Sequence, residues 1–143
     1  MNAEYRRDPY LVSTDKGKLD VDFIHTWLST VSYWGQGRSR EAIETSIANS
    51  ICFGVYEGAQ QVGLARLVGD QATFAWIADV FIAESHRGRG LGKWLMQCVV
   101  EYCGTHLPTI KRILLATRDA HGLYRQSGFV PLENPENWMT LRK

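Results

Sequence analysis

The residues best suited to chemistry lie in one stretch, Val80–Lys93. There an apolar run, Val80-Phe81-Ile82, enters a loop with glycines at alternate positions, Gly88, Gly90 and Gly92. Alternate glycines let successive backbone N–H groups turn into one concavity. A helix starting at Leu91 would add roughly half a positive charge at its N-terminus. Such a cradle suits a phosphate or pyrophosphate. Arg87, Arg89 and Lys93 add fixed cationic charge beside it. Two common phosphate loops do not fit. The nucleoside-triphosphate loop requires Ser or Thr after Gly-Lys, and Trp94 stands there. The dinucleotide fingerprint requires G-x-G-x-x-G, and Gly88-x-Gly90-x-Gly92 is one residue short at its end. A strand–helix turn without a ligand is the plainer reading of the glycines alone.

Composition narrows the partners. The 143 residues carry a formal net charge of +1, with 45% hydrophobic and 22% charged residues. That describes one domain spanning 1–143, long enough to bury a core. No basic tract interleaved with aromatics suggests nucleic acid, and no apolar run approaches membrane-spanning length. Cys52, Cys98 and Cys103 form no CxxC pair and have no histidine at zinc spacing. They read as small core residues in a reducing, cytoplasmic protein, with no metal. The polar segment Met1–Asp8 is not a signal peptide.

The elements that must position the loop follow from periodicity. Tyr10–Thr14 reads as a strand. Asp20 caps a helix over Val21–Val31, with Val21, Ile24, Leu28 and Val31 on its inner side. Ser39 caps a second helix over Arg40–Ser50, with Ile43 and Ile47 inward. Ile51–Tyr56, Gln61–Val68 and Thr73–Ile82 form an antiparallel meander turning at Glu57–Gly58 and Gly69–Asp70. A helix then runs through Tyr102, with Leu91, Leu95, Val99 and Tyr102 on one face. Arg112–Ala116 is a strand and Ala120–Gln126 a short helix that Gly128 stops. Phe129–Leu132 and Trp138–Leu141 are expected to close the sheet. The fold class is α+β, a mixed, mostly antiparallel twisted sheet of six to seven strands with helices on both faces.

Two segments resemble the GNAT superfamily of acyl-CoA-dependent N-acetyltransferases. Arg87-x-x-Gly90-x-Gly92 after the Val80-Phe81-Ile82 strand is similar to the family's acyl-CoA motif. Ala120-x-x-Leu123-Tyr124-x-x-x-Gly128-Phe129 is similar to its late strand–helix segment. The resemblance covers roughly residues 73–132. It implies splayed central strands, one ending at Ile82 and one starting at Arg112, with acetyl-CoA between them. It implies that Arg87, Gly88, Arg89, Gly90, Leu91, Gly92 and Lys93 hold the pyrophosphate. The backbone of Phe81 and Ile82 would pair with the pantetheine arm as an added strand would. Thr117 stands where many members carry a cofactor-binding asparagine, and His121 beside it could also reach the cofactor. Glu84 replaces a proline common before the arginine. Tyr124 would be the general acid that protonates the leaving thiolate.

An amine acceptor must be neutral to attack. Alternation along the strand puts Asp79 and Phe81 on the face opposite the core-facing Val80 and Ile82. Asp79 is then either a proton acceptor for the amine or a strand aspartate paired with an arginine. Tyr33 and Trp34 lie between the first two helices, where the resemblance puts the acceptor pocket. They read as an aromatic wall for an ammonium or as corner packing. Arg38 faces an acidic acceptor group or covers surface. The leading expectation is transfer of acetyl to a small-molecule or peptide amine. The alternatives are a non-catalytic acyl-CoA-binding regulatory module and an unrelated phosphate or nucleotide binder. An edge strand near the C-terminus leaves room for a homodimer.

Overall fold

The computed structural model describes residues 2–143. Six strands form one sheet in sequence order: β1 (Glu4–Arg7), β2 (Tyr10–Ser13), β3 (Ile51–Glu57), β4 (Gln60–Gly69), β5 (Ala75–Ile82) and β6 (Ile113–Leu114). Neighbours are antiparallel except β5 and β6, which run parallel. β1 is not among the strands expected from the sequence. It is a polar edge strand of which only Tyr5 is half-buried, so it carries no apolar alternation to read.

Helices cover both faces. On one face α1 (Val21–Thr26), the turn that follows it and α2 (Arg40–Ala48) pack Ile24, Leu28, Ile43 and Ile47 onto Cys52, Leu64 and Phe81. The carboxylate of Asp20 accepts from Phe23 N, and Ser39 Oγ accepts from Ala42 N, so both expected caps form. On the other face α3 (Leu91–His106) sets Leu91, Leu95, Met96 and Val99 against Val12, Phe53, Val55, Val62 and Ile82. The three cysteines are buried and unpaired, as their apolar surroundings suggested. No helix of the described residues is long and apolar enough to cross a membrane.

The first helix does not keep α geometry to Val31. Residues Trp27–Val31 form a π turn, with Ser32 N donating to Trp27 O. Three hydroxyls reach back to carbonyls four residues earlier there: Ser29 to His25, Thr30 to Thr26 and Ser32 to Leu28. Such bonds compete with regular helix and loosen it. The wider turn rotates Val31 out of the expected apolar stripe, leaving it 59% exposed.

Two strand expectations fail at the C-terminus. Phe129–Leu132 and Trp138–Leu141 form no strand, and Val130, Met139 and Leu141 are exposed. The tail is fixed only in part, with the Arg112 guanidinium lying 5.3 Å from the Trp138 ring centre. The sheet therefore ends at the two-residue β6, which is shorter than the expected Arg112–Ala116.

Candidate active site

The glycine loop is built by ties to its surroundings. Past Ile82, Ala83 N donates to Val62 O at 2.7 Å, and a single 3₁₀ turn carries the chain through Glu84–His86. Arg87 Nε donates to Ile82 O at 3.1 Å, folding its side chain against the strand end. Gly88 and Gly90 have φ of +81° and +74°, a region that L side chains rarely adopt. A Cβ placed on Gly88 would meet nothing within 4 Å, so the cradle is open. Gly90 is the N-cap of α3 and offers no capping side chain, leaving the first-turn N–H groups free for an anion.

The hairpin β1–β2 braces this loop from behind, a contact between distant segments that the sequence does not signal. Arg7 donates to the carbonyls of Arg89 and Gly90, both at 3.4 Å. Tyr10 Oη and His86 Nδ1 stand 3.0 Å apart in the buried interior. Arg89 corrects an expectation. Its guanidinium donates to Tyr10 Oη, and the residue does not line the cleft. Arg87 and Lys93 do line it.

The splay expected between β5 and β6 is present. Parallel pairing covers only Ala75 with Ile113 and Trp76 with Leu114. From Ile77 onward that edge of β5 has no strand beside it. It opens instead on a cleft of about 1260 Å³ that reaches from the glycine loop to the π turn and the β6–α4 segment, where α4 is His121–Arg125.

A bulge in β5 sets the second half of the site. Leu64 pairs with Phe81 and Arg66 with Ala78, so Ala65 faces two residues, Asp79 and Val80. Asp79 takes φ +54°, a conformation that aspartate tolerates better than most residues. The expectation that Asp79 and Phe81 share a face opposite Val80 and Ile82 survives the bulge, but that face is also core. Phe81 is 4% exposed and packs edge-on against Trp27, with centroids 4.0 Å apart.

Asp79 is buried and fully engaged. Trp34 Nε1 donates to Oδ1 at 2.8 Å, and Arg38 Nη1 and Arg66 Nε both donate to Oδ2 at 2.8 Å. The carboxylate is thus no free base aimed at an amine. Arg66 was not singled out from the sequence. The available signal was one arginine inside the apolar run Val62–Val68, opposite a strand containing one aspartate. It also donates to Ser50 Oγ and Ser46 O, and it lines the cleft.

Tyr33 and Trp34 form part of the cleft wall, edge to face with centroids 5.0 Å apart, and Trp76 joins them. Arg118, before α4, lies with its guanidinium 3.7 Å from the Tyr33 ring centre. Its backbone N–H donates to Tyr33 Oη at 3.2 Å. These contacts bridge the cleft from the loop after the π turn to the loop before α4.

Tyr124, on α4, is buried to 9% exposure with its ring edge-on to Phe129. Its hydroxyl has no hydrogen-bond partner among the described residues, and the side chain borders the cleft. Burial, with smaller contributions from Tyr33 and Asp119, pushes its pKa up to about 12. The two remaining cofactor expectations fare differently. Thr117 lines the cleft but spends its hydroxyl accepting from Ala120 N at 3.0 Å. His121 is exposed and stands outside the cleft lining.

A mostly antiparallel α+β sheet, splayed after its fifth strand beside a glycine loop at a helix N-terminus, defines the GNAT fold. Residues 21–129 match the Acetyltransferase (GNAT) family, and the chain belongs to it. A protein of Gibberella zeae named as an acetyltransferase is 34% identical over 139 residues, covering 84% of this chain and 78% of that protein. A crystal structure from Xanthomonas campestris pv. campestris, of a protein named as a GNAT-family acetyltransferase, is 39% identical. Its TM-score is 0.85, covering 94% of this chain and 93% of that one. A fold likeness at 22% identity and TM-score 0.71 extends to the spermidine N-acetyltransferase of Vibrio cholerae in complex with CoA and spermine. It covers 89% of this chain and 84% of that one.

Proposed function

We propose that this protein transfers an acetyl group from acetyl-CoA to a primary amine by direct attack of the amine. The observation that carries the reading is the unbroken cleft. It joins the open glycine cradle at the head of α3, the unpaired edge of β5 and the unpartnered hydroxyl of Tyr124. The chain's own residues fit CoA. Backbone N–H groups of Gly88–Gly92 would take the pyrophosphate, with Arg87 and Lys93 flanking it. The Phe81–Ile82 edge would hold the pantetheine arm, and Thr117 would border it. CoA, when bound, supplies an activated thioester carbonyl and a thiol leaving group.

In this reading Tyr124 donates to the departing sulfur. Asp79 is a positioning residue. It sets the Arg38 guanidinium and the Trp34 indole, while the amine proton leaves to water. Tyr33, Trp34 and Arg38 form the acceptor side. The test has two stages. Acetyl-CoA or CoA at about 100 times its Kd should stabilise the fold by roughly 2.7 kcal/mol, and ATP and NAD should not. Release of free thiol from acetyl-CoA should then depend on an added amine. Binding without release under any acceptor would favour the regulatory acyl-CoA module, and stabilisation by ATP or NAD alone would refute the CoA reading.

A further inference from the structure

Charge at the acceptor end of the cleft is unevenly distributed. Two guanidinium groups share the single buried carboxylate of Asp79, which leaves one positive charge in excess. Arg38 uses only Nη1 in that pair, and its side chain stays 26% exposed. Its remaining guanidinium nitrogens have no partner among the described residues. The arginine is also pre-set from its backbone: Arg38 N donates to Gly35 O at 3.0 Å, and Arg38 O lies 3.1 Å from His25 Nε2. The other acid bordering the cleft, Asp119, is exposed at the rim and stands 3.9 Å from Arg118. No unpaired carboxylate among the described residues faces the acceptor space. The walls there are Tyr33, Trp34 and Trp76.

We infer that the acceptor is an α-amino acid or a close relative, a primary amine whose own molecule carries a carboxylate and an apolar or aromatic side group. The inference rests on the transferase reading above. The free face of Arg38 takes the carboxylate as a charge-assisted pair. The aromatic wall takes the side group. A polycation without a carboxylate gains nothing from this site and is repelled by it, unlike the spermine bound by the Vibrio cholerae fold relative.

The test compares matched acceptors in the thiol-release assay. Phenylalanine is set against phenethylamine, tryptophan against tryptamine, leucine against isoamylamine, with the remaining common amino acids and spermidine alongside. At least one amino acid should exceed its decarboxylated twin by tenfold or more in kcat/KM. Arg38→Gln should bring that ratio close to one by raising KM for the carboxylated acceptor, with CoA affinity unchanged. Arg38→Lys, a charge without the fork, should restore part of it. Equal or better turnover of the decarboxylated twins, preference for spermidine, or silence from every amino acid would overturn the inference. Turnover of the twins or spermidine would leave the transferase reading standing. Absence of stabilisation by acetyl-CoA would instead count against that underlying reading. If Arg38→Gln does not fold, the comparison of twins on the unaltered protein decides.

Discussion

Tyr124→Phe isolates one proton donor. The substitution keeps the ring, its edge-on contact with Phe129 and its burial. The hydroxyl has no partner among the described residues, so its removal strands no buried group and should leave the thermal midpoint nearly unchanged. With the phenol pushed to about 12, it is fully protonated at neutral pH. A leaving thiol has a pKa near 8.5, so complete transfer from phenol to thiolate runs uphill by about 3.5 units, roughly 5 kcal/mol. The hydroxyl therefore acts mainly by hydrogen bonding to charge developing on sulfur, with the proton following late. A hydrogen bond to a charged group contributes about 1.5–3 kcal/mol. Its loss should lower kcat by about ten- to 150-fold. That is smaller than the largest effects of general acid catalysis, because burial weakens this acid. The measurement is single-turnover thiol release at saturating acetyl-CoA and acceptor, with CoA affinity followed separately. The raised pKa also means that Tyr124 adds no alkaline limb to the rate profile below about pH 10, so parent and variant should show the same profile shape. Parental rates in the Phe variant, where chemistry limits turnover, would refute the donor role.

Gly90→Val should weaken CoA binding by tenfold or more in a thermal-shift titration. A β-branched residue at φ +74° is strained by about 1–2 kcal/mol, and its Cβ would stand 3.6 Å from the Arg7 guanidinium that braces the loop, so the loop must shift; a folded variant with parental CoA affinity would remove the pyrophosphate from this loop. Asp79→Asn keeps the backbone, since asparagine also tolerates positive φ, but leaves Arg38 and Arg66 without a counter-charge. Stability should fall by about 3–5 kcal/mol, read by denaturant unfolding. Its activity loss should be uniform with pH, and a loss that deepens as pH falls would restore Asp79 as a base. Burial raises the pKa of Tyr124 and Cys98 to about 12 and moves Cys52, Cys103, Tyr56 and Tyr102 upward. Their neutral forms are favoured by folding, so that stability is complete below the ordinary thiol value of 9.0 and is lost as pH rises toward 12. The unfolding midpoint should therefore hold steady from pH 7 to 8.5 and decline above pH 9, and an alkaline plateau to pH 11 would contradict this.

What the sequence made legible was whatever depends on backbone and short spacing. The cradle needs glycines at Gly88 and Gly90, and both indeed take positive φ. The caps at Asp20 and Ser39 act within three residues, so their chemistry is visible in the chain order. Three features were hidden, one because it arises only when distant segments meet and two because local side-chain hydrogen bonds leave no mark on apolar periodicity. Arg89 reads as a phosphate ligand beside the loop until the hairpin β1–β2 brings Tyr10 against it from 79 residues away. The π turn at Trp27–Val31 depends on three hydroxyls bonding backward, which apolar periodicity cannot register. His121 follows directly on the Thr117–Ala120 turn, and its exposure there has no signature in the spacing. The C-terminal strands were over-read because Trp138, Met139 and Leu141 have strand-forming character, yet the sheet provides no ladder to hold them.

The bulge at Asp79–Val80 joins the buried ion cluster to the unpaired edge of β5. A regular β5 would need no residue at positive φ, and the register with β4 would pass Ala65 without a break. Instead the extra residue turns the Asp79 carboxylate beneath the α1–α2 face, where Arg66 from β4 and Arg38 from the loop before α2 converge on the same oxygen. Their hydrogen bonds compensate the strain of a non-glycine residue at φ +54°, which is of order 1–3 kcal/mol. Bulges bend and twist the strands that carry them. This one lies past the Ala75 and Trp76 pairs with β6, on the stretch of β5 that runs free along the cleft. Of the two roles the sequence left open for Asp79, a proton acceptor or the partner of an arginine, the structure shows the pairing, with both Arg38 and Arg66. Neutralising Asp79 should disturb fold and acceptor specificity together, whereas neutralising Arg38 should disturb specificity first.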